Sequence, residues 1–156
     1  MRVSSPAFPD AGAMPVRFAN IGVAGGANDS IPLAWQGEPE ATRSYVIAIV
    51  DHHPVAHGWV HWLVTDVPAS VHALDQGASG RAMPASATEM LNTWGRTGYG
   101  GPQPPAGTGA HDYVTTVFAV DEERLDIGAI ADWGAVREAM RGHVLAEASL
   151  TGGLGR

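Results

Sequence analysis

Residues 45–50 read Tyr-Val-Ile-Ala-Ile-Val, six apolar positions with no polar residue between them. A β-branched run of that length predicts a central strand buried on both faces. Trp59–Val67 and Tyr113–Val120 are rich in Val, Thr and aromatic residues and predict two more strands. Ile31–Trp35 predicts a shorter strand, which Pro32 pushes toward a sheet edge because it has no N–H to donate.

The pattern changes period only near the C-terminus. Trp133, Val136, Met140 and Val144 recur at spacings of three and four, forming one apolar stripe on a helix over Asp132 to about Ala146. Asp132 is placed to cap its first turn. Glu147–Leu150 then returns as a strand. The 20 Gly and 11 Pro are spread through the chain, as expected for turns between short strands. These elements predict one mainly β domain over residues 1–156.

Composition narrows the chemistry. The chain has 156 residues and no Cys, and its nine basic residues are all Arg. Disulfides, thiolate nucleophiles, Cys-ligated metals, Schiff-base lysines and a Walker A loop are thereby excluded. Sixteen acids against nine Arg give a net charge of −7, with no basic run. Nucleic acid and anionic membrane surfaces are held through basic patches, so neither is an expected partner. No stretch approaches the ~20 apolar residues of a membrane span. The N-terminal segment, with Pro6, Pro9, Asp10 and Pro15, lacks the order of a signal peptide, so a cytoplasmic location is expected.

Four of the seven His fall within ten positions: His52, His53, His57 and His61. Spacings of four would align three of them on a helix, but Pro54 and Gly58 disfavour a helix there. No His-Glu-x-x-His motif is present, and neither a metal site nor a cofactor is expected. An extended chain accounts for more. Asp51 and His53 are two residues apart, as are Trp59 and His61, and His111 and Tyr113. Residues two apart on a strand share a face, so three such pairs can converge at one end of a sheet. His61 lies inside an otherwise apolar strand and needs a hydrogen-bond partner if buried, for which Asp51 is a candidate.

The run Gly98-Tyr99-Gly100-Gly101-Pro102-Gln103-Pro104-Pro105 is a second candidate feature. Consecutive glycines allow positive φ, so their N–H groups can turn inward as an anion nest; an ordinary tight turn is the alternative. The spacing is wrong for a dinucleotide loop, and no Gly-x-Ser-x-Gly elbow exists.

Taken in order, these motifs resemble the phosphatidylethanolamine-binding proteins. Asp51-His52-His53-Pro54 is similar to that family's Asp-Pro-Asp-Ala-Pro motif with one residue deleted. Trp59-Val60-His61-Trp62 resembles its Trp-x-His-Trp/Phe strand. Gly98 to Pro105 followed by His111-Asp112-Tyr113 resembles its Gly-Pro-x-Pro-Pro…His-x-Tyr signature. Ser5-Pro6-Ala7-Phe8, Pro32-Leu33-x-Trp35 and the ending from His143 to Gly152 look like the bacterial, Raf-kinase-inhibitor-like branch. The resemblance implies a β-sandwich-like fold with a large central sheet, a smaller sheet and a C-terminal helix. It also implies a small pocket at the sheet end for phosphate, other small anions or phospholipid head groups. Its residues would be Asp51, His61, the Gly100–Gly101 backbone, His111 and Tyr113. In such a pocket, His61, His111 and the glycine N–H groups would donate to ligand oxygens, while Asp51 would fix a His tautomer or accept a proton.

One position departs from the pattern. The family's second carboxylate falls on His53, which changes pocket charge by about one unit at pH 7. A stronger preference for anions, more so below pH ~6.5, is expected, with weaker retention of an ethanolamine ammonium. Two other classes stay open: a small-molecule enzyme using the same Asp, His and Tyr for acid–base chemistry, and an interaction module of the kinase- or protease-inhibitor type.

Overall fold

The computed structural model describes residues 1–128 and 132–156. The strands are β1 (Arg2–Ser4), β2 (Gly12–Ala13), β3 (Leu33–Gln36), β4 (Ser44–Asp51), β5 (Trp59–Pro68), β6 (Ala73–Leu74), β7 (Thr88–Glu89) and β8 (Ala110–Val120). The helix α1 (Trp133–Ala139) and the strand β9 (Val144–Gly155) complete the order. They form a three-stranded sheet, β1-β3-β6, and a six-stranded sheet, β2-β9-β8-β4-β5-β7. The fold is mainly β with two sheets and one short C-terminal helix, as the resemblance implied.

The buried run at Tyr45–Val50 explains the layering. Every residue of β4 is buried, and the pleat sends them alternately to two cores. Tyr45, Ile47 and Ile49 join Trp35, Trp62, Val117 and Leu150 in the larger core. Val46, Ala48 and Val50 face the other way, toward Leu63, Met90, Val136 and Met140. The helix thus covers one face of the central sheet, and β3 of the small sheet contributes to the core on the other.

Two expectations are corrected. The helix ends at Ala139 rather than near Ala146, although Asp132 does cap it by accepting from the Ala135 N–H at 2.9 Å. Gly142, at φ +84°, turns the chain out of the helical path. Val144, which continued the stripe in sequence, is therefore the first residue of β9, a twelve-residue strand. The short strand near Pro32 starts at Leu33 and lies in the middle of its sheet, not at the edge. Pro32 simply precedes it, where its missing N–H costs no ladder bond.

The central sheet has a defined polar end. β4 is antiparallel to both β5 and β8, with Asp51 opposite Trp59 on one side and Tyr113 on the other. The row Tyr45, Ile47, Ile49 thus ends in a carboxylate, at the place where β5 and β8 begin.

Candidate functional site

At that end Asp51, Trp59, His61, His111 and Tyr113 line a cavity of about 240 Å³. The remaining wall comes from loops: Val55 and Ala56, Trp94, Gln103, Pro104 and Pro105. The three strand-borne pairs inferred from spacing do converge, apart from His53, which lies behind the lining. Its ring stacks flat on His111, with centroids 3.8 Å apart and planes within 8°.

His61 owes its orientation to a bulge. Ile49 pairs with Trp62 and Val50 with Val60, so β5 carries one extra residue there, His61. A bulge lets two successive side chains share a face. Trp62 consequently packs into the larger core, while His61 turns toward the loop and brings Nδ1 to 2.6 Å from the Gly100 carbonyl. A carbonyl only accepts, so Nδ1 carries the hydrogen and Nε2 keeps its lone pair. Burial holds the pKa of His61 below the ordinary histidine value, with the Gly100 carbonyl and Asp51 offsetting it in part. His61 is neutral at pH 7.

Asp51 therefore has a different partner from the one expected. Its Oδ2 accepts from His111 Nδ1 at 2.7 Å, and its Oδ1 from the His53 backbone N–H at 2.8 Å. His111 is 1% exposed, and its Nε2 lies 2.8 Å from the Thr108 hydroxyl. That hydroxyl also lies 2.8 Å from the Pro105 carbonyl, and its one hydrogen serves one of these two acceptors at a time. Both nitrogens of His111 are thus committed within the protein. The carboxylate orients His111 and, through the His53 N–H, the start of the loop after β4.

The glycine pair does not form an anion nest. Gly100 N–H donates to the His61 carbonyl at 2.8 Å, and Gly101 N–H to Asn28 Oδ1 at 2.7 Å. Neither residue has a positive φ. Both are instead sites of close approach. A Cβ on Gly100 would stand 2.5 Å from Trp94 Cδ1, and one on Gly101 would strike the Phe18 carbonyl. Gly100 serves the site through its carbonyl, which fixes the His61 tautomer.

What the cavity offers a ligand is set by the atoms left over. The Trp59 indole N–H and the Tyr113 hydroxyl are buried and have no partner among the described residues. Burial pushes the Tyr113 pKa far up, and the Asp51 charge adds to the rise, so the hydroxyl stays protonated as a donor. These two donors are sunk in the wall of an otherwise largely apolar recess, beside the His61 Nε2 lone pair and the Gln103 side-chain amide, which has no hydrogen bond among the described residues. The Asp51–His111–Thr108 line has the order of a nucleophilic triad, but Thr108 does not line the cavity.

The histidine cluster itself is dispersed. His52 and His57 are exposed, His57 in a left-handed conformation at φ +52°. Among the described residues, the group able to gather three metal-ligating atoms within 4.8 Å is Asp121, Glu122 and His143, exposed or half-buried at the opposite end of β8.

The fold and this recess define a two-sheet β protein with an Asp/His/Tyr site at the end of its central sheet. The chain belongs to the phosphatidylethanolamine-binding protein family, whose family model matches residues 4–154. It is 37% identical to the UPF0098 protein YbhB of Escherichia coli over 155 residues, 97% of this chain and 98% of that one. A UPF0098 protein of Methanothermobacter thermautotrophicus is 34% identical, with 97% of each chain covered. The crystal structure of Escherichia coli YbcL, described as a member of the mammalian PEBP family, superposes with a TM-score of 0.92 at 28% identity. It covers 99% of this chain and 98% of that one. Among the described residues no helix is long and apolar enough to cross a membrane.

Proposed function

We propose that this single domain binds a small oxyanion, either free phosphate or the phosphate of a lipid head group, in the cavity at the end of the central sheet. The observation that carries this reading is the pair of stranded donors, Trp59 Nε1 and Tyr113 Oη, in the cavity wall. An unsatisfied buried polar group costs about 1–3 kcal/mol, and a ligand bringing two acceptor oxygens recovers that cost. The bare Nε2 of His61 fits an oxygen that still carries a proton, so a singly protonated phosphate suits the recess better than a fully ionised one. At about 240 Å³ the cavity is smaller than the ~300–1,000 Å³ typical of drug-sized sites, which favours a head group over a whole lipid. The family's name, phosphatidylethanolamine-binding protein, supports a phosphate-bearing head group.

His53 lies outside the lining, so its effect on a ligand passes through the ring of His111 against which it stacks. The pocket is proposed to hold an ethanolamine ammonium less well than a carboxylate-bearing relative would. A cytoplasmic location goes with this reading, and cell fractionation tests it.

Native mass spectrometry of freshly purified protein, with any released ligand identified, tests the proposal. A phosphate-bearing ligand that is lost in His111→Ala supports it. Turnover of a metabolite that falls in rate with His61→Ala would favour the enzyme reading instead. A stoichiometric protein partner retained by both variants would favour an interaction module.

A further inference from the structure

A second recess of about 460 Å³ lies on the other side of Trp94, whose indole is common to both walls. Its chemistry is the reverse of the first. The first cavity contains a carboxylate and no guanidinium; the second is lined by Arg96 and by no acidic residue. We infer that this recess is a separate oxyanion subsite, served by the Arg96 guanidinium and independent of the His61 cavity.

The surrounding residues are already held in place. Asn92 and Arg96 close a tight hairpin, with Asn92 N–H donating to the Arg96 carbonyl at 2.9 Å and Arg96 N–H to Asn92 Oδ1 at 3.3 Å. Leu91 and Thr97 bridge across the same hairpin, and Gly95, at φ +74°, makes its tip. Asn28, itself left-handed at φ +56°, donates to the Tyr99 carbonyl and accepts from Gly101 N–H, so both ends of its amide are spent on the floor. The Tyr99 hydroxyl donates to the Phe18 carbonyl at 2.8 Å. What remains uncommitted is cationic or donating. Among the described residues the Arg96 guanidinium has neither an ion pair nor a hydrogen bond, and the Asn20 amide N–H₂ likewise has none, its Oδ1 alone being used by Gly22 N–H.

Charge makes this placement informative. In a chain of net charge −7 with no Lys, an unpaired Arg in a concave wall free of acids is a local source of positive potential. Arg96 shares this setting with Arg17, but here it is joined to the free Asn20 amide and the exposed Trp94. A planar guanidinium can donate two parallel N–H bonds to phosphate or carboxylate, which no group in the first cavity can do. Trp94 and Ile21, 41% and 76% exposed, flank it and supply apolar surface for whatever carries the anion.

Site-resolved NMR with inorganic phosphate tests the inference on the intact chain. Shifts of Arg96 Nε–H and of the Asn20 side-chain amide should saturate along one isotherm, and Arg96→Gln should weaken that isotherm by about tenfold or more. Arg81→Gln, a control at another exposed arginine, should leave it unchanged. Shifts at His61, Trp59 Nε1 and Tyr113 report the first cavity separately and should survive Arg96→Gln. If the Arg96 signals do not respond, or Arg81→Gln weakens them equally, the subsite is overturned. If they respond while the His61 signals stay silent, the subsite stands and the reading of the first cavity fails.

Discussion

His53 lies face to face with His111, 3.8 Å between ring centroids, and is not itself part of the cavity lining. The residue that replaces the family's second carboxylate is therefore a packing partner of an already oriented imidazole. Its Nδ1 accepts from Val55 N–H at 3.4 Å, so neutral His53 carries its hydrogen on Nε2. His53→Ala should cost about 0.5–1.5 kcal/mol, the range for a stacked aromatic pair, and should reduce phosphate affinity by several-fold. Urea denaturation and calorimetry check the two effects. A variant with unchanged affinity contradicts the coupling between this ring and the cavity.

The Asp51–His111 bond is buried on both sides, and Asp51 satisfies two donors with its two oxygens. Asp51→Asn keeps one acceptor but turns the other atom into a donor facing His111 Nδ1. The variant should lose about 1.5–3 kcal/mol, as for a hydrogen bond to a charged group. The hydrogen of His111 should also move to Nε2, which ¹⁵N shifts of the imidazole report. An unchanged tautomer would mean that Asp51 does not orient this ring.

His61 links stability to pH with a defined sign. Burial lowers its folded-state pKa below the unfolded value of about 6.5. Below about pH 6.5 the unfolded chain takes up a proton that the folded chain refuses, so stability falls as pH drops. The fall ends once the pH is below the folded-state pKa. His61→Gln, whose amide can still donate to the Gly100 carbonyl, should lose less stability than the parent protein between pH 7.5 and 5.0. Equal losses in the two proteins, by urea midpoint, would contradict a neutral buried His61.

The two glycines of the loop should respond differently to a methyl group. At Gly100 the obstacle is the half-exposed Trp94 side chain, which can swing away. Gly100→Ala should fold and show a red-shifted Trp94 emission. At Gly101 the obstacle is the Phe18–Asn20 backbone, which cannot move without disturbing Phe18 in the core. Gly101→Ala should lose about 1–3 kcal/mol or more by thermal denaturation, and more than Gly100→Ala.

Much of this arrangement was legible in the sequence because one rule, alternation along a strand, covers both the core and the site. It located β4 from an unbroken apolar run, and it grouped Asp51, His53, Trp59, His61, His111 and Tyr113 at one sheet end, where all but His53 line the cavity. The same rule fails where the chain breaks alternation. The bulge at His61 sends that ring to Gly100 rather than Asp51, and a bulge leaves no mark in a pattern of apolar and polar letters. Val144 misled for a related reason: its spacing from Met140 suits a helix, and only Gly142 marks the turn that puts it in β9. Trp94 and Asn28 reach the two recesses from loops, Thr108 reaches His111 from another, and their spacing from the strand residues follows no period. The glycine run drew attention correctly, but its function comes from close packing and a carbonyl rather than from free N–H groups.

The proposed oxyanion site is tested most directly by Tyr113→Phe. Among the described residues the Tyr113 hydroxyl is buried without a partner. Deleting it should leave the free protein as stable as before, or more stable by about 1 kcal/mol. The same deletion removes a donor to the ligand and should weaken phosphate binding by roughly tenfold, measured by calorimetry on parent and variant. Unchanged or raised stability together with lost affinity is the result predicted here. Lost stability with unchanged affinity would contradict it, because the hydroxyl would then serve the fold and not a ligand.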